Sequence, residues 1–367
     1  MERHTTIFKL CDVRTSMRLV LCGDTTPVRP LINLPAATKD IFRLAAGADL
    51  SLGNFEIPLT TAGAPVQKLL NIKASPQIAG SLHELGLRAV TIANNHTVDY
   101  GWQGLEDTTR ALTSANIKVV GAGADIASAS TPLLVETSAA KVGIVALSCL
   151  TPTGMSAGPG RPGISALHVE TGYEIDPWYQ MEEPGDPSVV KIRTKVRDAD
   201  LRRTLNLISS VRARCDLLIV TVHWGYGSGD QLAEYQLPLA QALIDAGADI
   251  IHGHHPHAIH PFGFYKGRPI IFSAGTYLGQ QTFLDASPQV HAMWAAMSPD
   301  GFVTEIAYDQ GNIHSIKLSL TTLDANRLPV PADDESRSRI TERLKCLSAP
   351  HGASFIWHNG KLEVRPR

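Results

Sequence analysis

The chain has 367 residues, 44% hydrophobic and 19% charged, a length that suits one large α/β domain with appendages or two modest ones. Those proportions exclude a disordered chain, and the 30 Gly follow no three-residue period, which excludes a collagen-like one. Lys and Arg (33) nearly balance Asp and Glu (35), so the formal charge of −2 gives no global field to hold a polyanion such as nucleic acid.

At the N-terminus, Met1 to Arg18 mixes Glu2, Arg3, Lys9, Asp12 and Arg14 among apolar residues, so no signal-peptide core can be drawn. No later apolar run approaches the roughly 20 residues that a membrane helix needs. The five cysteines (Cys11, Cys22, Cys149, Cys215, Cys346) are scattered and form no C-x-x-C pair, which argues against a disulfide framework or a thiolate metal site. The expectation is a cytoplasmic protein with neither nucleic acid nor membrane as partner.

Short runs rich in Val, Ile and Leu alternate with segments of helical period, the pattern of strands crossing to helices. Strands are expected at Met17–Cys22, Asp49–Leu52, Ala89–Ala93, Lys118–Gly121, Val142–Cys149, Asp216–Val222, Asp249–His252 and Pro269–Ser273. Helices are expected at Thr38–Ala46, Pro76–Leu85, Gly104–Ala115, Ala199–Arg212, Leu232–Ala246 and Ser336–Cys346. Gly47, Gly86 and Gly247 each stand just past a helix and before a strand, where a left-handed residue would stop the helix.

Thr151 to Arg197 breaks this rhythm with six Pro and six Gly in 47 residues. Its end alternates Lys191, Arg193, Lys195 and Arg197 with Val190, Ile192, Thr194 and Val196, which would put four cations on one strand face. This reads either as an edge strand kept soluble by charge and balanced by upstream acids, or as a flap whose basic face meets an acidic substrate. Beyond it, Gly301–Asp309 and Asn312–Leu318 form an expected hairpin, and the stretch past Leu328 an appended helix and tail.

Five of the 14 histidines, His252, His254, His255, His257 and His260, fall within nine residues directly after an apolar strand. Neutral imidazole is the commonest nitrogen ligand for Zn, Mn and Fe, and crowded imidazolium ions would repel one another, so the cluster points to a metal. Four other strands end in Gly23-Asp24, Asn54-Phe55-Glu56, Asn94-Asn95-His96 and His223-Trp224. Ligands bind at the carboxyl ends of strands in α/β sheets. Taken together, these ends offer about seven oxygen and nitrogen ligands, the number that two bridged divalent ions require.

The order Gly23-Asp24, Asn54-x-Glu56-x-Pro58-Leu59, Ala93-Asn94-Asn95-His96-x-x-Asp99-Tyr100-Gly101, Gly121-Ala122-Gly123, His223-Trp224-Gly225, Gly253-x-His255-Pro256-His257 and Phe272-Ser273-x-Gly275 resembles the CapA family. These capsule and poly-γ-glutamate synthesis proteins are similar to calcineurin-like metallophosphatases. The resemblance runs from about Arg18 to Gln280. It implies a four-layer α/β/β/α sandwich over residues 1–330, with 151–197 as a flap or lid and 331–367 as a C-terminal helix and tail. It also implies a dinuclear site for one or two divalent ions, Mn, Zn or Fe, with Mg and Ca as further options. Asp24 and His257 would hold the first ion, Glu56 would bridge, and Asn95, His223 and His255 would hold the second. His96 would act in proton transfer, oriented by Asp99. Asn94, Trp224, Lys191 and Arg193 are the expected substrate contacts.

Three departures from the expected pattern matter. Asp24-Thr25-Thr26 carries a threonine where the first phosphatase motif, Asp-x-His, has its histidine, which leaves the first ion an emptier shell. Glu56 replaces an Asp, and Gly275-Thr276 a Gly-Asn. Three readings follow. In one, a metal-activated hydroxide hydrolyses a peptide, γ-glutamyl or phosphoester bond. In another, a peptide α-carbon is epimerised, with Asp24 and His254, or another histidine of that cluster, as base and acid. In the last, the chain is a non-catalytic subunit of a capsule assembly complex.

Overall fold

The computed structural model describes residues 16–227 and 229–367. Cys11 and most of the segment read as lacking a signal core lie outside these described residues. Two sheets dominate. The first has ten strands, with Ser16–Thr25 running parallel to Leu50–Phe55, which is in turn parallel to Ala89–Thr91 and then Lys118–Val120. On its other side, Ser16–Thr25 pairs antiparallel with Asp300–Asp309. The second has six strands, with Leu217–His223 lying parallel between Lys141–Ser148 and Ile250–His254.

These central strands are nearly continuous apolar runs because both of their faces are covered. Leu19, Leu21, Leu50 and Leu52 of the first sheet pack against Ile144, Leu217, Ile219 and Ile250 of the second in one buried cluster. The opposite face of the first sheet, with Val20, Cys22 and Val90, is covered by Ile41 and Phe42 of the helix Ala36–Ala46, Leu82 of the 3₁₀ helix Pro76–Leu85, and Leu105 of the helix Gly101–Ser114. The outer face of the second sheet, with Val145, Val220 and Ile251, is covered by Ile208 of Asp198–Arg212 and Leu239 and Leu243 of Gln236–Asp245. The result is the expected four-layer α/β/β/α sandwich.

Three local expectations are corrected. Gly86 and Gly247 adopt positive φ (71° and 118°) just past their helices, but Gly47 sits at φ −81° and stops its helix without the left-handed turn. Residues 331–367 are not an appendage. Ile340 and Leu344 of the helix Asp334–Ser348 sit in the inter-sheet core, and the strands Ala353–His358 and Lys361–Pro366 extend the first sheet through Asn312–Leu323. Nor is 151–197 one flap. Met155, Ile164 and Leu167 are buried, and the Ser156 hydroxyl, His168 and Asp200 form a hydrogen-bonded chain at 3.0 and 2.7 Å that ties the segment to the helix Asp198–Arg212. The two-stranded ribbon Val169–Ile175 and Val190–Val196, with the helix Pro177–Glu182 at its tip, stands largely exposed. Among the described residues, no helix is long and apolar enough to cross a membrane.

Candidate metal centre

The strand ends that carry polar residues converge between the two sheets. Asp24 is in register with Asn54 across neighbouring strands, and His223 with His254. Gly23 makes the first end possible, since a Cβ there would lie 1.9 Å from the Gly275 carbonyl oxygen, and Asp24 N–H donates to that same oxygen at 3.1 Å. The sheets are stitched at this end by His252 Nε2, 3.0 Å from the Cys22 carbonyl.

Asp24, Glu56 and His223 are buried, and His257 is nearly so. Asn54 Nδ2 donates to Asp24 Oδ1 at 2.8 Å and to Glu56 Oε2 at 3.2 Å, which fixes the two carboxylates relative to each other. The His255 amide donates to Asp24 Oδ2 at 3.2 Å. Glu56 lies 3.4 Å from His223 Nε2 and 3.6 Å from His257 Nε2, and His223 Nε2 is 2.8 Å from Asn95 Oδ1. His255 (φ 112°) and His257 (φ 50°) hold positive φ without being glycine, a backbone arrangement that costs free energy and turns both rings inward.

Burial makes three of these imidazoles, His223, His254 and His255, poor bases. It pushes the pKa of His223 down to about 3, and those of His254 and His255 well below the ordinary value, with neighbouring histidines adding to the effect. The same burial pushes the Glu56 carboxyl well above the carboxylate range. Neutral imidazoles are the ligating form. Glu56 Oε1 and His255 Nδ1 are buried with no hydrogen-bond partner, and an unpaired buried acceptor is costly unless something else completes it. Three residue groups bring their ligand atoms within 4.8 Å of one another: Glu56 with His223 and His255; Asp24 with Glu56 and His257; and Asp24 with His223 and His254. The donor set fits a divalent cation.

Beside this set stands a second arrangement. His96 Nδ1 is 2.7 Å from Asp99 Oδ2, which also accepts the Ile72 amide at 2.8 Å. Lys68 donates to Asp99 Oδ1 at 2.6 Å and to the Asn95 carbonyl at 2.5 Å. Burial lowers the pKa of His96 despite the carboxylate beside it, so its ring is neutral near pH 7. Lys68 was not legible in the sequence, since one lysine in an irregular loop carries no signal. Asn54 stood in the sequence motif beside Glu56, but its role, an amide that ties the two carboxylates together, emerges only from the structure.

Both arrangements open on a cavity of about 940 Å³ lined by Glu56, Lys68, Asn95, His96, His255 and His257, among others. Several expected contacts lie elsewhere. Trp224 is fully buried, stacked on Phe272 and donating to its carbonyl at 2.9 Å, so it is a core residue. Asn94 is also buried. Its amide oxygen accepts the His96 and Thr97 amides and its nitrogen donates to Asn54 and Phe55, which leaves nothing for a substrate. His254 lies behind His223, with its Nδ1 2.8 Å from His223 and its Nε2 3.0 Å from Thr221 Oγ1. Both its nitrogens are engaged away from the cavity, so it is no proton donor to a substrate. Arg193 pairs with Glu174 and Glu234, and neither it nor Lys191 is among the residues lining the cavity. Carboxylates therefore match three of the four cations of the basic strand face, Arg193, Lys195 and Arg197. Thr26 Oγ1 lies within hydrogen-bond reach of both the Leu278 carbonyl and the Gln281 side-chain amide, which ties its hydroxyl into the fold.

Comparison with known proteins agrees with this construction. The chain is 28% identical to the PGA biosynthesis protein CapA of Bacillus subtilis over 66% of this chain and 56% of that protein. It is 26% identical to the capsule biosynthesis protein CapA of Bacillus anthracis over 87% of this chain and 68% of the relative. It is also 32% identical to a probable polyglutamine synthesis accessory protein of Mycobacterium tuberculosis over 62% of this chain and 54% of the relative. The chain thus spans little more than half the length of two of these relatives. The model of the bacterial capsule synthesis protein family PGA_cap matches residues 18–281, which contain all of Asp24, Glu56, Asn95, His223, His255 and His257, and the chain belongs to that family.

Proposed function

We propose that the chain is a divalent-metal-dependent hydrolase acting on a peptide, γ-glutamyl or phosphoester bond. The observation that carries this reading is the adjacency of two sets in one cavity. One is a buried cluster of ligand type with unpartnered Glu56 and His255 atoms; the other is a histidine at its edge, held by a carboxylate. Glu56, Asn95, His223 and His255 would hold one ion, and Asp24, Glu56 and His257 a second. Ions held there polarise a carbonyl or phosphoryl oxygen and make a bound water more acidic.

The remaining work belongs to the chain's own residues. His96 turns Nδ1 to Asp99, which fixes the ring and places its one proton on Nδ1, so the bare Nε2 can take a proton from the attacking water and pass it on to the departing group. Asp99 is itself fixed by Lys68 and the Ile72 amide, so the ring has one orientation. Asn54 holds Asp24 and Glu56 side by side, and the His255 amide steadies Asp24.

A second reading, epimerisation of a peptide α-carbon, is favoured by Thr26. A threonine hydroxyl is a weaker ligand than the imidazole it replaces, and this one is turned to the Leu278 carbonyl and Gln281 Oε1, so Asp24 would be less committed to metal and freer to act as a base. Incubating candidate peptides and phosphoesters with metal-loaded protein in D₂O separates the two. Two shorter products support hydrolysis. An intact peptide about one mass unit heavier supports proton exchange at the α-carbon. Absence of both, with metal bound, would refute both.

A further inference from the structure

The cavity has two unlike halves. One carries the metal-type residues; the other is apolar, built by Leu69 and Leu70 from the loop before the Pro76–Leu85 helix and by Met293 and Met297 at and beyond the end of the helix Pro288–Ala295. Leu69 is 95% exposed and Met293 45% exposed, so large apolar side chains face the cavity with little protein to cover them. The cations in the lining are already matched. Arg339 makes a two-pronged contact with Asp300 at 2.8 and 2.9 Å. Arg343 meets Asp230 at 2.7 Å and the Ile259 carbonyl at 3.0 Å. Lys68 meets Asp99 at 2.6 Å. A polyanionic strand such as a γ-glutamyl chain would lay one carboxylate per residue into this space and find every described cation spent on an acid.

We propose that the substrate is a peptide segment whose residue next to the metal centre carries a large uncharged apolar side chain, seated against Leu69, Leu70, Met293 and Met297, and not a γ-glutamyl polymer. The volume of about 940 Å³ falls within the range of ligand pockets and leaves room for more than one residue. This rests on the reading of the site as a metal-dependent peptide-processing centre, but it concerns binding and is tested by binding.

The experiment titrates the full chain, loaded with Mn or Zn, with capped pentapeptides Gly-Gly-X-Gly-Gly in which X is Leu, Met, Phe or Glu, and with a γ-glutamyl pentamer. The apolar peptides should bind at least about tenfold tighter than the Glu peptide, the scale on which an apolar pocket discriminates. Their affinity should change little between low and high salt. Leu69→Glu and Met293→Glu, both at exposed positions where folding is not at stake, should each erase most of that preference. Equal or tighter binding of the γ-glutamyl pentamer or the Glu peptide, a preference untouched by both variants, or no binding by any peptide would overturn the proposal. Apolar peptides that bind with this preference but are neither cut nor deuterated would leave it standing and remove the catalytic reading instead.

Discussion

Glu56→Gln is the most informative perturbation, because it should act in opposite directions with and without metal. Glu56 is 1% exposed and accepts one hydrogen bond, from Asn54 at 3.2 Å, while its Oε1 has none. Burial raises its folded pKa above the ordinary value of 4.5, so without metal the native state keeps a proton that the unfolded state releases. Metal-free stability therefore falls as pH rises from about 4.5 toward that raised pKa. The amide of Glu56→Gln is isosteric and neutral, so the metal-free variant should be at least as stable as the parent at pH 7 and lack that decline. With metal the order reverses. An ion present at 1,000 times its dissociation constant stabilises by about 4 kcal/mol, and a hundredfold loss of affinity leaves about 1.4 kcal/mol. The difference of about 2.7 kcal/mol, set against an unfolding entropy of about 2.1 cal/mol/K per residue, is a Tm lower by about 3 to 4 °C for a chain of this length. Thermal scans of metal-free and metal-loaded protein, with elemental analysis of each, measure both halves. Equal metal content and an equal metal-induced rise in Tm in parent and variant would refute Glu56 as a ligand.

His96→Ala should keep its metal and lower turnover by about 10² to 10⁴, the usual worth of a positioned proton-transfer group, and elemental analysis showing parallel metal loss would assign it to the ligand set instead. Replacing Lys191 and Arg193 together by Gln should leave KM unchanged at low and high salt, since Arg193 is matched by Glu174 and Glu234 away from the cavity; a raised KM would return the ribbon to the substrate path. His252, buried, with its pKa pushed down to about 4, binds no proton in the native state where the unfolded state does below about 6.5, so its contribution is fully present above that pH and is lost as pH falls toward 4. It should account for about 2 kcal/mol of destabilisation between pH 7 and pH 5, read as a shallower pH slope of the urea midpoint in His252→Gln. Identical slopes in parent and variant would show that another group sets the acid limit.

How much the sequence determined follows from how local each signal is. Unbroken Val, Ile and Leu runs mark parallel strands covered on both faces, and the polar residues that follow them fall at carboxyl ends whatever the order of the sheet. For that reason the strand ends with Asp24, Glu56, Asn95, His223 and the histidine row were legible as candidate ligand positions, while the particular set of six was what the family resemblance implied; ligand atoms of Asp24, Glu56, His223, His255 and His257 fall into groups within 4.8 Å, and Asn95 Oδ1 lies 2.8 Å from His223 Nε2. The pairing of His96 with Asp99, three residues apart in a tight loop, was what the resemblance implied, and the two are 2.7 Å apart. What the sequence could not decide are relations between distant segments. Trp224 adjoins His223, but strand alternation turns its ring into the outer core against Phe272. His254 and His255 look equivalent in a row of histidines, yet strand geometry sends the first behind His223, while a positive φ turns the second into the cavity. The four cations of the ribbon read alike as a substrate face or a solvated edge until the position of Glu234, on another segment, settled two of the partners of Arg193 and Thr194. Lys68, 31 residues from Asp99, and the apolar wall from Met293 to Met297 enter the site only because loops from both ends of the chain fold over the same strand ends. Chain connectivity fixes which residues end each strand; only packing of one sheet on the other fixes which of them share a cavity.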